Sequence, residues 1–561
     1  MAANVKGPAK AKTAANSIVT AVAVIASLIL LNIIMMRYPK RLDLTQEGVY
    51  SLSKYSLDLV KNLPDRMNVK LFVSDGLPPE FKPTAQYVRD LLDEYKVASG
   101  GKLDFEAIDP TAGKDDDEKK KHQEDLGKYK IQKITLERIS DNKMEIGSEN
   151  YLGVAFTYGE QIDSIPQIVR TEGLEYQVTG LIRRLIATKK KKIGIVTSEG
   201  ELQPQQGLQL LGRILGTDYE TTTVALDKPV QDDVDALFIV GPKTPFNDKS
   251  KYAIDQFLMK GKGVAFFVDG MKIEAPQGMQ MPGMEQPKLG QPNDVNLQDL
   301  FEKYGLKLHD DIVFDAQNAP GLVPVQGQMF PANYPTFVAI AGDGLAKNDL
   351  THNMGAIVMP FASSLELVGD LKDGKSEVKA QPVARTSARS WRNTGFFVFN
   401  PLVKLEKPQN EADKGPFTLG YTLQGKWKSA YPNGAPGSEP GTSMPENAGA
   451  LKESPPDTRF VIMASSGMLD DHQLPYQLFP GYLKNLQFAA NAADWLTKDD
   501  ALMSLRAKGM TQRPFVPASD SRATFWRWFI QTGVPALFVG LGLLLFWLRS
   551  ARRAAASIET L

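Results

Sequence analysis

Two long apolar segments, one near each end of the 561-residue chain, constrain its fold more than any other feature of the sequence. Residues 18–36, from Ile18 through Leu28 to Met36, carry no charge, and a helix of this length matches a hydrocarbon core of roughly 30 Å. A cleaved signal peptide is the alternative, but its apolar region is typically about 7–15 residues and ends at a small-residue site. Here the run ends in MMRYPKR, which indicates an uncleaved membrane anchor.

The second apolar segment, residues 526–548, is predicted to form another transmembrane helix. Its uncharged part begins at Phe529 and ends at Leu548, and Trp526 and Trp528 precede it, where indole rings favour the membrane interface. A buried core helix is the alternative. The position near the end of the sequence and the three arginines that follow favour a membrane span.

Lysine and arginine beside the two segments indicate the orientation in the membrane. Arg549, Arg552 and Arg553 follow the second segment and outnumber the arginines just before it, which favours a cytoplasmic C-terminus. The flanks of the first segment are balanced and do not decide. Because two spans bring both termini to one side, we expect cytoplasmic tails at residues 1–17 and 549–561 and a body outside the cytoplasm.

The composition excludes several classes of protein. With 65 Lys and Arg against 65 Asp and Glu, the chain has no net charge, which argues against nucleic-acid binding because phosphate recognition usually needs a basic excess. The chain has no cysteine, so it has no thiol nucleophile, disulfide, iron–sulfur cluster or cysteine-ligated zinc. The four histidines are scattered without metal-site spacing, and we predict neither a metal nor a cofactor.

Between the two segments, the first predicted domain covers residues 40–188. Strand patterns at 67–73 and 102–109 flank an amphipathic helix predicted over 84–98, which makes a β-α-β unit. Alternating residues over 150–165 predict a hairpin. This order of elements resembles a thioredoxin-like domain, which without cysteine cannot exchange disulfides.

The second predicted domain covers residues 189–500 and is followed by a linker over 501–525. Its strands read as continuous apolar runs separated by amphipathic helices, at 193–197, 236–240 and 264–268. This is the pattern of a parallel sheet covered on both faces. A strand at 459–464 and a helix at 483–497 are predicted to complete the sheet, with a β-rich insertion over about 305–455.

Polar residues follow two of these apolar strands at their carboxyl ends, where open α/β sheets bind ligands. Ser198, Glu199 and Glu201 follow the first strand, and Asp269 follows the strand at 264–268. We therefore predict ligand binding at these four residues. No G-x-S-x-G motif or Ser-His-Asp arrangement accompanies them, so we predict no catalytic residue.

Two further patterns in this domain are interpreted as loops. The segment from Gly369 to Ser376 fits the nucleotide-binding motif G-x-x-x-x-G-K-[ST], but a P-loop needs a helix after it, and here a strand pattern follows. We interpret it as a hairpin turn. The segments 276–292 and 432–456, rich in Pro, Gly and polar residues, are predicted to be long loops.

A set of separate stretches carries a family resemblance: RLDLT at 41–45, YSLS at 50–53, VKLFV at 69–73, LPPEF at 77–81, FEAIDP at 105–110, GPKTPF at 241–246, and residues 172–184, 191–201 and 251–270. In these stretches the chain resembles the GldG-type auxiliary subunits of ABC transporters, a family first linked to gliding motility. The resemblance is strongest between Arg37 and about Gly270.

The resemblance implies a non-enzymatic, extracytoplasmic subunit held in the bacterial inner membrane by two passes, with most of the chain in the periplasm. It implies a multi-span ABC permease and a cytoplasmic ATPase as partners, with the anchors docking on the permease within the lipid bilayer. It leaves a homodimer within the complex open. The second domain of this family resembles class I glutamine amidotransferases that have lost catalysis, so the fold class expected is α/β with a thioredoxin-like and an amidotransferase-like domain.

Two other functions stay open. A membrane-anchored periplasmic hydrolase would use carboxylates among Glu199, Glu201 and Asp269, and it predicts a cleft that contains an acid of raised pKa. A purely structural scaffold predicts no pocket.

Overall fold

Alternating strand and helix patterns become two main β-sheets in the structure, a computed structural model with a mixed α/β fold of parallel and antiparallel strands. The structure describes residues 23, 26, 27, 30, 52–112, 116–134, 137–140, 143–146, 150–171, 173–187, 190–274, 288–325, 328–348, 350–351, 354–395, 397–399, 410–434, 450–499, 528–533, 535–544 and 547. These fall into two compact units, 1–510 and 511–561, and both sheets belong to the first.

The predicted membrane segments lie largely outside the described residues. Those outside include Ile18, Leu28, Met36, Trp526 and Leu548. Trp528 and Phe529 are described and exposed, and a short π-helix extends from Phe529 to Gly533. Among the residues that the structure describes, no helix combines the length and the apolar character needed to cross a membrane. The two spans therefore stay predictions.

The first sheet has five strands, all before residue 166. Its part of the chain contains α1 Lys54–Lys61, β1 Met67–Val73, α2 Lys82–Ala98, β2 Leu103–Ile108, α3 Asp116–Lys128, β3 Lys133–Ile134, β4 Glu137–Ser140, β5 Lys143–Ile146, β6 Asn150–Tyr158, β7 Gln161–Ile165 and α4 Leu174–Ile186. The sheet consists of β1, β2, β3, β6 and β7, and β4 and β5 form a separate two-stranded sheet. β1 is parallel to β2 and antiparallel to β6, which also pairs with β3 and β7. The predicted β-α-β unit and hairpin are confirmed.

The alternation of side chains along β1 and β6 separates two layers of core. Leu71 and Val154 point to the face that α2 and α4 cover, whereas Phe72 and Ala155 point to the other face, against α3. α2 begins two residues before its predicted start, because Pro83 is accommodated in its first turn, where no intrahelical N–H bond is lost.

The second sheet has nine strands. This part of the chain contains β8 Lys192–Val196, α5 Gln209–Asp218, β9 Glu220–Val224, β10 Ala236–Val240, α6 Asp248–Met259, β11 Gly263–Phe267, β12 Met271–Glu274, β13 Lys288–Pro292, α7 Gln298–Lys303, β14 Leu306–Leu308, β15 Asp311–Asp315, β16 Asn318–Val325, β17 Gln328–Ala341, β18 Ala356–Pro360, β19 Leu365–Leu367, α8 Gly369–Lys372, β20 Val378–Arg385, β21 Ser390–Thr394, β22 Phe397–Phe399, β23 Thr418–Gly425, β24 Thr458–Met463 and α9 Leu483–Leu496. The sheet order is β14-β19-β23-β24-β11-β10-β8-β9, with β20 also paired to β23.

The five strands from β9 to β24 in this order are all parallel, and helices cover both of their faces. Phe238 and Phe267 belong to the core under α5 and α9, whereas Ile239 and Phe266 belong to the core under α6 and α7. For these five strands, the predicted parallel arrangement with helices on both faces is confirmed. β24 returns to pair with β11 after the long β-rich stretch, as its apolar pattern predicted.

The structure corrects two of the loop predictions in the second domain. The last five residues of the predicted loop 276–292 form β13, which pairs with β12 and β22. The segment Gly369–Ser376 is not a hairpin turn, because β19 and β20 on either side of it both pair with β23 rather than with each other. Since the strand β20 follows Ser376 where a P-loop would have a helix, the segment is not a P-loop either. β14, β19, β20 and β23 thus add an antiparallel part to a sheet that the apolar runs predicted as parallel.

Candidate functional site

A cavity of about 400 Å³ opens at the carboxyl edge of the parallel strands. Its floor comes from the residues that follow β10, β11 and β24, and its walls come from the β-rich stretch. The lining residues include Pro242, Lys243, Asp269, Met271, Lys272, Ile273, Asn293, Tyr334, Phe337, Phe361, Ser466, Asp470 and His472. The carboxyl edge is where a sheet of this topology leaves room for a ligand.

Asp269 is the predicted site residue that the structure places in the cavity. Its side chain is half-buried, and Oδ1 accepts a hydrogen bond of 2.7 Å from the backbone N–H of Ser466, whose hydroxyl donates to Oδ2. Burial raises the pKa of Asp269 to about 6, against the opposing effects of the Ser466 hydrogen bonds and of the Lys243 charge. Asp269 therefore titrates close to neutral pH.

The other predicted residues, Ser198, Glu199 and Glu201, are absent from the described cavity lining and bond within the loops beneath it. Ser198 Oγ accepts from Leu226 N at 3.2 Å, and Glu199 Oε1 accepts from the Ser250 hydroxyl at 2.6 Å. Glu201 Oε2 accepts from Glu199 N at 2.7 Å. Unlike Asp269, these three residues form hydrogen bonds that hold the loops in place.

One carboxylate oxygen of Glu201 forms no hydrogen bond with the residues that the structure describes. Its side chain is buried, and Oε1 has no hydrogen-bond partner among the residues that the structure describes. Burial raises the pKa of Glu201, and the charge of the neighbouring Glu199 adds to the increase. The loop that contains it supports the cavity indirectly, since the Glu199 carbonyl accepts from Lys243 N and Thr244 N at 3.1 Å each.

Several lining residues escaped prediction because no local pattern marks them. Asn293 follows β13, which lies in a segment predicted as a loop. Tyr334, Phe337 and Phe361 come from the β-rich stretch, and Phe361 has a φ of 49°, an unusual conformation for a bulky residue. Folding places these residues beside Asp269 and Ser466, which lie at distant positions in the chain, and no spacing rule reveals this arrangement.

The cavity combines fixed polar groups with an aromatic surface. Both oxygens of Asp269 accept hydrogen bonds from Ser466, and the described residues contain no group of three His, Asp or Glu that could hold a metal ion. The aromatic wall consists of Tyr334, Phe337 and Phe361, and the polar floor includes Asp269 and Ser466. Together they have the usual composition of ligand pockets, which combine apolar surface with a few fixed polar groups.

These features define an α/β protein with a ligand-sized cavity at the edge of a doubly covered sheet. The sequence profile of a family described as "ABC-type uncharacterized transport system" matches residues 190–498, the part that builds this sheet and cavity, and the chain belongs to that family. It is therefore an auxiliary component of an ABC transport system. A second profile, described as "Domain of unknown function (DUF7088)", matches residues 46–157 in the first sheet.

Comparison with individual proteins adds a bacterial relative. An uncharacterized protein of Borreliella burgdorferi is 24% identical over 476 residues, which cover 83% of this chain and 84% of that protein. Two solved structures show weak similarity. The mmIFT52 N-terminal domain has a TM-score of 0.31 at 14% identity, covering 55% of this chain and 97% of that one. The exo-beta-1,4-mannosidase Op5Man5 from Opitutaceae bacterium strain TAV5 has a TM-score of 0.23 at 10% identity, covering 74% and 50%.

Proposed function

We propose that the chain is a non-enzymatic, extracytoplasmic subunit of an ABC transporter that binds a ligand or partner in the carboxyl-edge cavity. The observation that carries the proposal is the position of this cavity. It lies within the matched transport-family domain, and its floor is the sheet edge where α/β folds bind ligands. Asp269, Asn293 and the aromatic wall would make the contacts, while Ser198, Glu199 and Glu201 would hold the loop beneath.

The sequence supports the rest of the proposal. The apolar segments 18–36 and 526–548 would anchor the chain in the bacterial inner membrane, with both tails in the cytoplasm and the two sheets in the periplasm. The anchors would dock on a multi-span permease, and a separate ATPase would supply the energy. The first sheet would be the thioredoxin-like domain and the second the amidotransferase-like domain of a GldG-type subunit, working without cysteine chemistry.

Purification from the native host would test the partners. The full chain, tagged at its C-terminus, would be extracted in a mild detergent, and the co-purifying proteins would be identified by mass spectrometry. We expect a multi-span permease and an ATPase in fixed ratio to the tagged chain. The matched control replaces residues 529–548 by a leucine-alanine helix of equal length, which preserves a membrane span and removes specific contacts.

The expected result for this control is a membrane-bound chain that recovers less permease. Recovery of the native chain alone would contradict the proposal. The orientation has its own test, since a C-terminal tag in intact cells should be inaccessible to an impermeant reagent if both tails are cytoplasmic. Labelling of the tag in intact cells would show that the topology is the opposite of the one proposed.

One observation favours a second candidate, a periplasmic hydrolase. Asp269 is an acid with a pKa of about 6 in a cleft, which suits general acid–base catalysis near neutral pH. The variant Asp269→Asn separates the two functions, because the amide can still accept from Ser466 N and bond the Ser466 hydroxyl but cannot transfer a proton. A binding subunit should lose at most the contribution of one ligand contact, about tenfold, whereas an acid–base enzyme should lose about a hundredfold or more.

A further inference from the structure

We propose that the occupant of the cavity is an extended peptide segment that pairs with the edge of β12 that faces away from β13. This inference rests on the proposed function and names the chemical class of its ligand. Four features carry it: the backbone register of β12, the course of the cavity along that strand, a buried amide oxygen without a partner among the described residues, and the balance of charge around the cavity.

The register of β12 against β13 determines which backbone groups face the cavity. Asn293 N donates to Gly270 O at 2.8 Å, and these two residues continue the antiparallel register of the two strands. Hydrogen-bonded and non-hydrogen-bonded pairs alternate along such a ladder, so every second residue after Gly270 also faces β13. The N–H and C=O groups of Met271 and Ile273 therefore face away from β13.

The cavity follows this outward edge. Met271, Lys272 and Ile273 all line the cavity. Met271 is only 2% exposed, whereas Ile273 is partly exposed, so the backbone of Ile273 is the accessible part of this edge. In its sheet β12 pairs with β13 on one side, and no described residue hydrogen-bonds the outward backbone groups of Met271 and Ile273. Such an edge can receive another strand.

Asn293 provides an acceptor beside the same edge. Its side chain is 8% exposed, and Nδ2 donates to the backbone oxygens of Asp269 at 3.0 Å and Pro242 at 3.3 Å. These two bonds orient the amide, and its Oδ1 has no partner among the described residues. A buried acceptor is costly to leave unpaired, so the site favours a ligand that donates an N–H or O–H group there.

An aromatic wall offers a place for an apolar side chain of the peptide. The ring centroids of Tyr334 and Phe337 are 4.6 Å apart, and the ring centroid of Phe361 lies 5.6 Å from that of Phe337. Phe361 holds its position with a φ of 49°, a strained conformation that is typical of functional sites. Aromatic side chains in such clusters are common anchors of binding interfaces.

The charges around the cavity favour a ligand with an uncharged backbone. Two lysines, Lys243 and Lys272, and two aspartates, Asp269 and Asp470, line the cavity, so neither a polyanion nor a polycation is selected. The four residues of β12 extend about 13 Å at 3.3 Å per residue, which matches an added strand of about four residues. A glycan would also suit the aromatic wall, but it would not use the backbone edge.

The experiment selects random nine-residue peptides displayed on phage against the full chain in detergent micelles, and then measures the affinity of the enriched peptides by fluorescence polarisation. Two matched variants test the edge. Ile273→Pro removes an outward N–H at a position where an edge strand tolerates proline, and Ile273→Ala shortens the side chain but keeps that N–H. We expect about tenfold weaker binding for Ile273→Pro and less than threefold for Ile273→Ala.

A second arm keeps the test decisive even if Ile273→Pro fails to fold. N-methylation of the enriched peptide at one set of alternate residues should weaken binding about tenfold, and methylation of the intervening set should have little effect, because only one set faces β12. Enrichment of no peptide, or equal binding by all methylated forms, would overturn the inference. So would tight binding of cellohexaose or chitohexaose in place of peptides. If the permease and ATPase still co-purify in those cases, the proposed function stands and the peptide inference alone fails.

Discussion

Ser466 bonds both oxygens of the Asp269 carboxylate, with its backbone N–H at 2.7 Å from Oδ1 and its hydroxyl on Oδ2. The two residues follow neighbouring parallel strands, β11 and β24, so this pair joins the carboxyl ends of the two strands beneath the cavity. The pairing holds the loop after β24, which contributes Gly467, Asp470 and His472 to the lining.

The raised pKa of Asp269 makes part of the stability depend on pH. Its pKa is about 6 in the folded protein against an ordinary value of 3.8, so the folded state keeps the proton to a higher pH than the unfolded state. The stabilisation from this group is complete below about pH 4 and is lost as pH rises to about 6, by roughly 3 kcal/mol at most. Asp269→Asn keeps the contacts with Ser466 and removes the titration.

The measurement compares the free energy of unfolding of Asp269→Asn and the native chain at pH 4.5 and pH 7.5, so that contributions from other groups cancel. We expect the variant to gain stability relative to the native chain at the higher pH. A difference that does not change with pH would mean that Asp269 has an ordinary pKa.

An ion pair connects α4, which packs against the first sheet, to the residues that follow α9 of the second sheet. Arg183 Nη1 of α4 lies 2.6 Å from Asp499 Oδ2, and both side chains are largely buried. Removing Arg183 leaves the buried Asp499 carboxylate with the longer ion pair to Lys191 Nζ at 3.7 Å, so Arg183→Ala should cost about 2–4 kcal/mol in the free energy of unfolding. The double variant with Asp499→Ala should cost less than the sum of the single changes, because it removes both charges. Strict additivity would show that the pair does not interact.

Two glycines provide opposite tests of packing. A Cβ on Gly263 in β11 would lie 2.6 Å from Leu496 Cβ and 2.7 Å from Leu496 O, so Gly263→Ala must push α9 away from the sheet. We expect a loss of about 1–3 kcal/mol. Gly212 lies in the interior of α5, and an added Cβ there would meet no described atom of another element within 4 Å, so Gly212→Ala should stabilise the helix by about 0.5–1 kcal/mol. Denaturant titration of both variants measures the two effects, and a shared sign would contradict this difference in packing.

The parallel part of the sheet could be predicted from the sequence because each strand is a continuous apolar run. The position of Asp269 at this edge could be predicted for the same reason, since Asp269 directly follows such a run and the carboxyl end of a parallel strand faces the ligand side of the sheet. Glu199 and Glu201 also follow a strand, but their side chains turn inward to bond Ser250 and the backbone of the loop. Sequence position sets the edge on which a residue lies, and loop geometry sets where its side chain points.

The walls of the cavity could not be predicted, because they depend on pairing between distant strands. Asn293 gains its role from contacts with Pro242 and Asp269, and Phe361 gains its role from a positive φ and from the neighbouring rings. None of these relationships leaves a period or a fixed spacing in the sequence. The antiparallel strands beside β24 were predicted as part of a β-rich insertion, but their pairing with the parallel sheet was not, because it joins distant parts of the chain.

Asn485 allows the sharpest test of how the β-rich stretch attaches to the helices. This residue of α9 is fully buried, and its side chain completes the outer edge of β18: Oδ1 accepts from Val358 N at 2.9 Å, and Nδ2 donates to Val358 O at 2.7 Å. Nδ2 also donates to Met468 O at 3.0 Å, in the loop that borders the cavity. A side-chain amide here takes the place of a neighbouring strand.

Asn485→Leu preserves approximate volume but leaves three buried backbone groups without partners, so we expect a loss of roughly 3 kcal/mol in the free energy of unfolding. Asn485→Asp is the matched comparison, because it can still accept from Val358 N but places a carboxylate oxygen against two carbonyl oxygens. It should be as damaging as leucine at neutral pH and less damaging at acidic pH, where the protonated carboxyl can donate once. Equal stability of the leucine variant and the native chain would show that β18 is held by its strand partner alone.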